Sequence, residues 1–397
     1  MNSDVSRLPF GSERPFRLIV TGGGTGGHTY PALTAVRTLK SRLAAEGRAL
    51  EVLWVGKADS LEERVAVGEG IEFASVATGK IRRSANPLKM ISPANVKDMS
   101  RVPLGVLQAR KAINRFRPDV VLATGGYVAV PVGMAATLMC RVPLVVHEQT
   151  VRLGLANKTL AGSATRVAVS SQSTVELLPE AVRAATVVTG NPVRPEVFTG
   201  QSEKAIQALG LHGFDGHLPT VYVTGGAQGS QQINTVVSEA LPWLLEHANV
   251  IHQCGPDHVQ SLSQQAARLS SSTAGRYHLT GYVGAELPDV LALADVVISR
   301  SGAGTIAELT ALGKAAVFIP LATSAGNEQV HNARHLADAG AAIALTDNVT
   351  AERLQGVVVP LLTDPAQREA MAERARGFGR PDAAERLADV VLAAVRQ

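Results

Sequence analysis

Cysteine is almost missing from this 397-residue chain: only Cys140 and Cys254 occur. They have no metal-ligand spacing and read as reduced, buried thiols of a reducing compartment. Aromatic residues make up 4%. That is too few for a surface that stacks nucleic-acid bases, so no nucleic-acid partner is expected. The phosphate-loop signature G-x-x-x-x-G-K-[ST] does not occur, which argues against an NTPase. An aspartate pair suited to a divalent metal is missing too. The opening MNSDVSRLPFGSERPFRLIV has no basic segment leading into a long apolar one, so no signal peptide is expected. RVPLGVLQA is short and flanked by charge, and VPVGMAATLMCRVPLVV is broken by Arg141 and two prolines. Neither reads as a transmembrane span, so any membrane attachment is expected to be peripheral.

What is present is apolar residue (46%) and glycine (37 residues) clustered in a few loops. The length suits two domains rather than one. The formal charge of +4 is divided unevenly: residues 1–198 carry +10 and residues 199–397 carry −6. Ten basic residues fall between Lys80 and Arg117: Lys80, Arg82, Arg83, Lys89, Lys97, Arg101, Arg110, Lys111, Arg115 and Arg117. Asp98 is the one acid among them, and apolar residues such as Leu88, Met90, Leu104 and Leu107 are interleaved. The mixture suits contact with anionic lipid head groups. The plainer alternative is a solvated helix face.

Short β-rich runs alternate with helical patterns, the rhythm of a parallel sheet in βα units. FRLIVTGG is a strand feeding a glycine loop, and PALTAVRTLKSRLAAEG is an amphipathic helix with Gly47 past its end. The pattern restarts after residues 199–218, a polar stretch expected to be a linker. Two doubly wound α/β domains in tandem are expected. The first covers 1–198 and the second 199–379, with a C-terminal helix over 380–397 returning to the first.

Four segments carry the chemistry. TGGGTGGHTYPAL (21–33), ATGGYVAVPVGMAA (123–136) and VTGGAQGSQQIN (223–234) each place glycines between a strand and a helix. Such loops offer free N–H groups and a helix N-terminus to an anion. One alone is weak; three in two domains point to a cleft that holds phosphates. The second strand ends WVGKADS, without an acid for a nicotinamide ribose; no cofactor is expected. His28, at the first helix start, is a candidate general base or phosphate ligand, or simply a packing histidine. The fourth segment, SRSGAGTIAELTALGKAAVFIP (299–320), opens a helix fit to cap a pyrophosphate. Glu308 one turn in can accept from two ribose hydroxyls, or merely complement the helix dipole. In GNEQVHNARHL, Gln329 and Asn332 share a helical face and can bind sugar hydroxyls or stay surface polars.

GGGTGGHTYPAL, TGGYVAVPVGMAA, HEQTVRLGLANK, TGNPVR, GGAQGSQQIN and RSGAGTIAELTALGKAAVFIPL, in that order, resemble the MurG family of peptidoglycan glycosyltransferases. The resemblance runs from about Arg17 to the C-terminal helix. It implies a GT-B fold, with two Rossmann-like domains facing a central cleft. It also implies inverting, metal-independent transfer of N-acetylglucosamine from UDP-N-acetylglucosamine to lipid I, giving lipid II. The N-terminal domain would bind lipid I at the cytoplasmic side of the membrane, and the C-terminal domain the donor. On that resemblance Gly24, Thr25, Gly26 and Gly27 hold the acceptor pyrophosphate or approach the donor sugar. His28 deprotonates the acceptor, and Gly302, Ala303, Gly304 and Thr305 stabilise departing UDP. Glu308 holds the ribose, Val283 lies near the uracil, Gln329 reads the sugar and Arg194 lies near the diphosphate. Tyr127, Thr150, Asn157, Gly226, Ala227, Gln228, Ser301 and Asn332 complete the expected substrate-binding set.

The chain departs from the family pattern at Thr150 (usually Asn), Ala227 (usually Ser), Gln231 (commonly basic), Thr323 and Gly326. Three alternatives therefore stay open. One is a related transferase with another lipid or secondary-metabolite acceptor. Another is a catalytically weakened cell-wall scaffold. The last is a two-domain sugar-nucleotide epimerase.

Overall fold

A computed structural model describes residues 14–79 and 100–395. Seven strands form the first sheet: β1 (Phe16–Thr21), β2 (Leu50–Gly56), β3 (Glu72–Ser75), β4 (Val120–Ala123), β5 (Leu144–Glu148), β6 (Arg166–Val169) and β7 (Thr186–Val188). Six form the second: β8 (Thr220–Thr224), β9 (Asn249–Gln253), β10 (Tyr277–Thr280), β11 (Val296–Ser299), β12 (Ala315–Phe318) and β13 (Ile343–Ala344). The orders are β3-β2-β1-β4-β5-β6-β7 and β10-β9-β8-β11-β12-β13. Every pairing is parallel. The central strands are mostly apolar because helices cover both faces. β4, β8 and β11 are buried along their whole length.

Both sheets thus repeat the doubly wound order, with direction reversing beside the first strand of each. In the first sheet the reversal lies between β1 and β4, in the second between β8 and β11. In each sheet the loops at the carboxyl ends of those two strands flank the switch point. The four glycine-bearing segments are the loops after these four strands.

The helix α1 (Gly26–Ala45) starts five residues before Pro31, taking the glycine loop's end as its first turn. Helix α2 (Val102–Phe116) covers the first sheet. Helices α3 (Gln231–His247), α4 (Ala303–Leu312) and α5 (Glu328–Ala337) belong to the second. The stretch 199–218 is more than a linker. Its helix Ser202–Ala208 places Ala205, with Leu211 beyond it, in the second domain's core. The last helix, α6 (Ala383–Ala393), packs against α1 and adds Leu387, Ala388 and Val391 to the first domain's core. Its apolar residues recur at three- and four-residue spacing, which makes one buried stripe. Arg42 on α1 reaches Asp389 on α6 at 2.5 Å.

Among the described residues no helix is long and apolar enough to cross a membrane. Lys80, Arg82, Arg83, Lys89 and Lys97 of the basic stretch lie outside the described residues.

Candidate active site

β1 and β4 are neighbours, so the loops that follow them meet. Gly23 N–H points at Gly125 O at 3.4 Å, and Thr124 Oγ1 donates to His28 O at 2.9 Å. Gly125 has φ +101°, and a Cβ there would lie 3.0 Å from His28 Cε1 and Nδ1. Only a residue without a side chain lets the imidazole rest on this loop. The Tyr127 ring lies against Gly24 in the same way, 3.2 Å from where its Cβ would be. Much of the glycine content here therefore serves loop-on-loop packing.

The first loop is also a weaker anion cradle than its glycines suggest. Glu62 is 1% exposed, and its carboxylate accepts from Gly24 N at 3.2 Å and Lys57 N at 3.4 Å. That occupies the Gly24 amide. The N–H groups of Gly26 and Gly27 have no acceptor among the described residues. Thr25 begins α1 without a side-chain cap, and no acid sits in its first turn.

His28 Nδ1 lies 3.0 Å from Gln149 Oε1. Behind it, Glu148 is buried and gathers the segment that follows β5. Its Oε1 accepts from Thr150 N and its Oε2 from Gly154 N and Asn157 Nδ2. Thr150 Oγ1 lies 2.9 Å from Glu148 Oε1 and 2.5 Å from Arg152 O. The hydroxyl of Thr150 and the amide N–H groups of Asn157 are thus engaged inside the loop, so both residues shape the site from beneath.

The second domain supplies a cavity of about 770 Å³, a size suited to a nucleotide sugar. Thr224, Gly226, Ser230, Arg300, Gly302, Thr305 and Gln329 are among its walls. Gly302 begins α4 with no side-chain cap and no acid in the first turn. The N–H groups of Ala303, Gly304 and Thr305 have no acceptor among the described residues, leaving a positive helix end for a diphosphate. Arg300 adds a full charge. It is held by Ile319 O and Pro320 O at 2.8 Å, by Gln232 Oε1 at 2.9 Å and by Ser230 Oγ at 2.6 Å. Burial pulls its pKa below the ordinary arginine value, a direction that leaves so basic a group charged.

Ser301 is fully buried, and its hydroxyl donates to Gln329 O at 2.7 Å; it holds α5 rather than a phosphate. Gln329 Oε1 accepts from Leu321 N at 3.0 Å, so its NH2 end is the one left for a sugar oxygen. Asn332, one turn on, has another task. It is buried, accepts from Val151 N and donates to Ser301 O, both at 3.3 Å. It ties the two domains together. Val283 is buried and its N–H is taken by Gln253 Oε1 at 2.9 Å. Ala227 and Gln228 are exposed at the loop tip and Gly226 lines the cavity. Arg194 does not stand free for a diphosphate: it bonds Glu308.

Glu62, Gln149, Ser230 and Arg300 are outside the expected set. Arg300 had a usable signal, since it sits directly before the helix-opening SGAGT. Gln149 had a weaker one as the last residue of HEQ. Glu62 had none, because its contact with Gly24 crosses 38 residues.

α1 and α4 touch across the domain boundary. Two doubly wound domains, with a histidine at one switch point and a charged, helix-ended cavity at the other, make the GT-B architecture. Residues 18–169 match the glycosyltransferase family 28 N-terminal domain and residues 220–387 its C-terminal domain. The chain belongs to glycosyltransferase family 28. It is 35% identical over 378 residues to a Listeria welshimeri protein, covering 95% of this chain and 99% of the other. That protein is a UDP-N-acetylglucosamine--N-acetylmuramyl-(pentapeptide) pyrophosphoryl-undecaprenol N-acetylglucosamine transferase. The crystal structure of Acinetobacter baumannii MurG superposes with a TM-score of 0.73 at 26% identity, covering 96% of this chain and all of that one. A UDP-GlcNAc 2-epimerase from Neisseria meningitidis superposes at 0.64 with 15% identity, covering 95% and 99%; that likeness is one of fold.

Proposed function

We propose that this chain transfers N-acetylglucosamine from UDP-N-acetylglucosamine to lipid I at the cytoplasmic face of the membrane, giving lipid II. The observation that carries the reading is the contact between α1, the helix that His28 helps to open, and α4, whose first residues wall the cavity. The acceptor hydroxyl oxygen attacks the anomeric carbon while its proton passes to His28 Nε2. The bond from that carbon to the diphosphate oxygen breaks, and the charge left on UDP is met by the α4 N–H groups and Arg300. Glu308 takes the ribose hydroxyls, and the NH2 of Gln329 a sugar hydroxyl. Attack from the face opposite UDP inverts the anomeric centre.

A membrane face is supported by α2 and the helical turn Ala135–Cys140, which pack on each other. Leu104, Leu107 and Leu138 are 52%, 55% and 69% exposed, with Met139 beside them. Arg101, Arg110, Lys111 and Arg141 lie exposed on the same segments. Apolar side chains ringed by cations suit an anionic bilayer surface.

Thr150 and Ala227, the departures nearest the expected ligands, both fall outside the cavity lining, whereas Gln231 and Thr323 lie on it. Gln231 and Thr323 are therefore the departures placed to alter donor affinity directly. Purified protein given UDP-N-acetylglucosamine and a lipid I analogue should release UDP and yield the disaccharide lipid. Turnover confined to another lipid acceptor would reject the lipid I assignment; release of an epimerised free sugar would reject transfer itself.

A further inference from the structure

The proton on His28 has to sit on a particular nitrogen for the base to work, and the surrounding hydrogen bonds decide which. Gln149 is 3% exposed. One end of its amide lies 2.7 Å from Thr124 O and 3.0 Å from His147 O. Carbonyl oxygens only accept, so that end is the NH2. The other end, facing His28 Nδ1 at 3.0 Å, is then the amide oxygen. An amide oxygen also only accepts, so Nδ1 carries the hydrogen and Nε2 of a neutral ring is bare.

The amide is fixed from behind as well. His147 is fully buried, and burial pushes its pKa down to about 4, so the ring is neutral near pH 7. Its Nε2 lies 3.0 Å from Gly190 O and must be the protonated nitrogen. Its Nδ1 is then an acceptor, 3.1 Å from the Gln149 NH2, and shares with His147 O the second of that group's two hydrogens. A chain of single-direction bonds runs from Gly190 through His147 and Gln149 to His28, and reversing any one bond sets acceptor against acceptor or donor against donor.

Gly190 stands where the two crossings between the domains meet. It has φ +83°, and a Cβ on it would lie 2.6 Å from Arg380 Cβ, just before α6. The relay therefore begins at the domain junction and ends at the catalytic imidazole.

We propose that Gln149 is a positioning residue that holds His28 in the Nδ1–H tautomer, through a relay anchored at the Gly190 carbonyl. The inference rests on His28 being the base, but its test does not. Nitrogen-15 spectra of histidine-labelled protein at mildly alkaline pH report the tautomer directly, with the His28 signal assigned by its loss in His28→Ala. The wild type should show Nδ1–H, against the Nε2–H form that free histidine prefers. Gln149→Met, which cannot accept, should move His28 toward Nε2–H. It should also lower kcat about tenfold, a part of what general-base catalysis supplies, with donor KM within twofold. An Nε2–H signal for His28 in the wild type overturns the proposal whatever the activity. So does a Gln149→Met protein with unchanged tautomer and kcat. If Gln149→Met does not fold, the wild-type spectrum decides alone. Full kcat in His28→Ala, with Nδ1–H in the wild type, would reject the base and leave the tautomer assignment standing.

Discussion

Arg194 donates from both Nε and Nη2 to a single oxygen of Glu308, at 2.9 and 2.7 Å. Arg194 comes from the segment that joins the domains, Glu308 from α4. The doubled bond anchors Oε1 and leaves Oε2 without a partner among the described residues. Glu308→Ala should weaken UDP binding by about 10- to 100-fold, the worth of hydrogen bonds from hydroxyls to a charged acceptor. Arg194→Ala should cost less, about threefold, because Arg194 is 40% exposed and its charge is screened. Calorimetric titration with UDP measures both. Equal losses from the two variants would mean that Arg194 itself contacts the diphosphate.

His28→Ala tests the base. Loss of general-base catalysis should lower kcat by about 10²- to 10⁴-fold while donor KM moves little. Steady-state kinetics with the lipid acceptor give the split. A variant with normal kcat would make His28 a packing residue resting on Gly125.

The fold was readable because its signals are local. Apolar runs such as VVLA (120–123) and glycine after each strand mark parallel βα units whatever the chain does elsewhere. The positions of His28 and the Gly302–Thr305 helix start were readable for the same reason. Long-range pairing was not. The bond from Glu62 to Gly24 and the bridge from Asn332 to Val151 depend on which strands become neighbours, and composition does not say. Asn332 and Gln329 show the limit well. Three residues apart on one helix, they read alike, as sugar ligands or as surface polars; burial separates them into a domain tie and a cavity wall. Ser301 and Thr150 carry hydroxyls that look free in the sequence and are spent on Gln329 O, Glu148 and Arg152 O.

On the proposed reading Arg300 faces the diphosphate alongside the start of α4. Arg300→Met keeps the bulk and removes the cation together with four hydrogen bonds. UDP affinity should fall at least tenfold, more steeply at low salt than at high salt. The carbonyls of Ile319 and Pro320 lose their donor, so stability in thermal unfolding should also fall, by about 1–3 kcal/mol. A stable variant with unchanged UDP binding would place the diphosphate elsewhere.

The apolar patch should govern vesicle binding. Leu104→Ser with Leu107→Ser and Leu138→Ser removes exposed apolar surface and leaves every charge. Binding to phosphatidylglycerol vesicles should weaken, and what remains should be abolished by salt. Arg110→Glu with Lys111→Glu should do the converse: binding falls at low ionic strength by about 1 kcal/mol for each cation lost, and salt dependence flattens. Vesicle flotation separates the two. Unchanged flotation in both variants would move the membrane face off α2.

Two buried histidines should make the fold sensitive to acid. Burial pushes His147 and His252 down to about 4, below the ordinary value of 6.5. The unfolded chain then binds more protons than the folded one between those values. Stability is therefore full above about pH 6.5 and is lost as pH falls toward 4, by up to about 3 kcal/mol for each ring. His252 Nε2 donates to Asn234 Oδ1 at 3.1 Å, and Nδ1 accepts from the Tyr277 hydroxyl at 3.0 Å. Glutamine can keep the Asn234 bond but does not titrate. His252→Gln should start less stable near neutral pH and lose less stability down to about pH 5 than the wild type does. Urea unfolding at the two pH values gives both slopes. Parallel slopes would show that His252 does not contribute to the acid sensitivity.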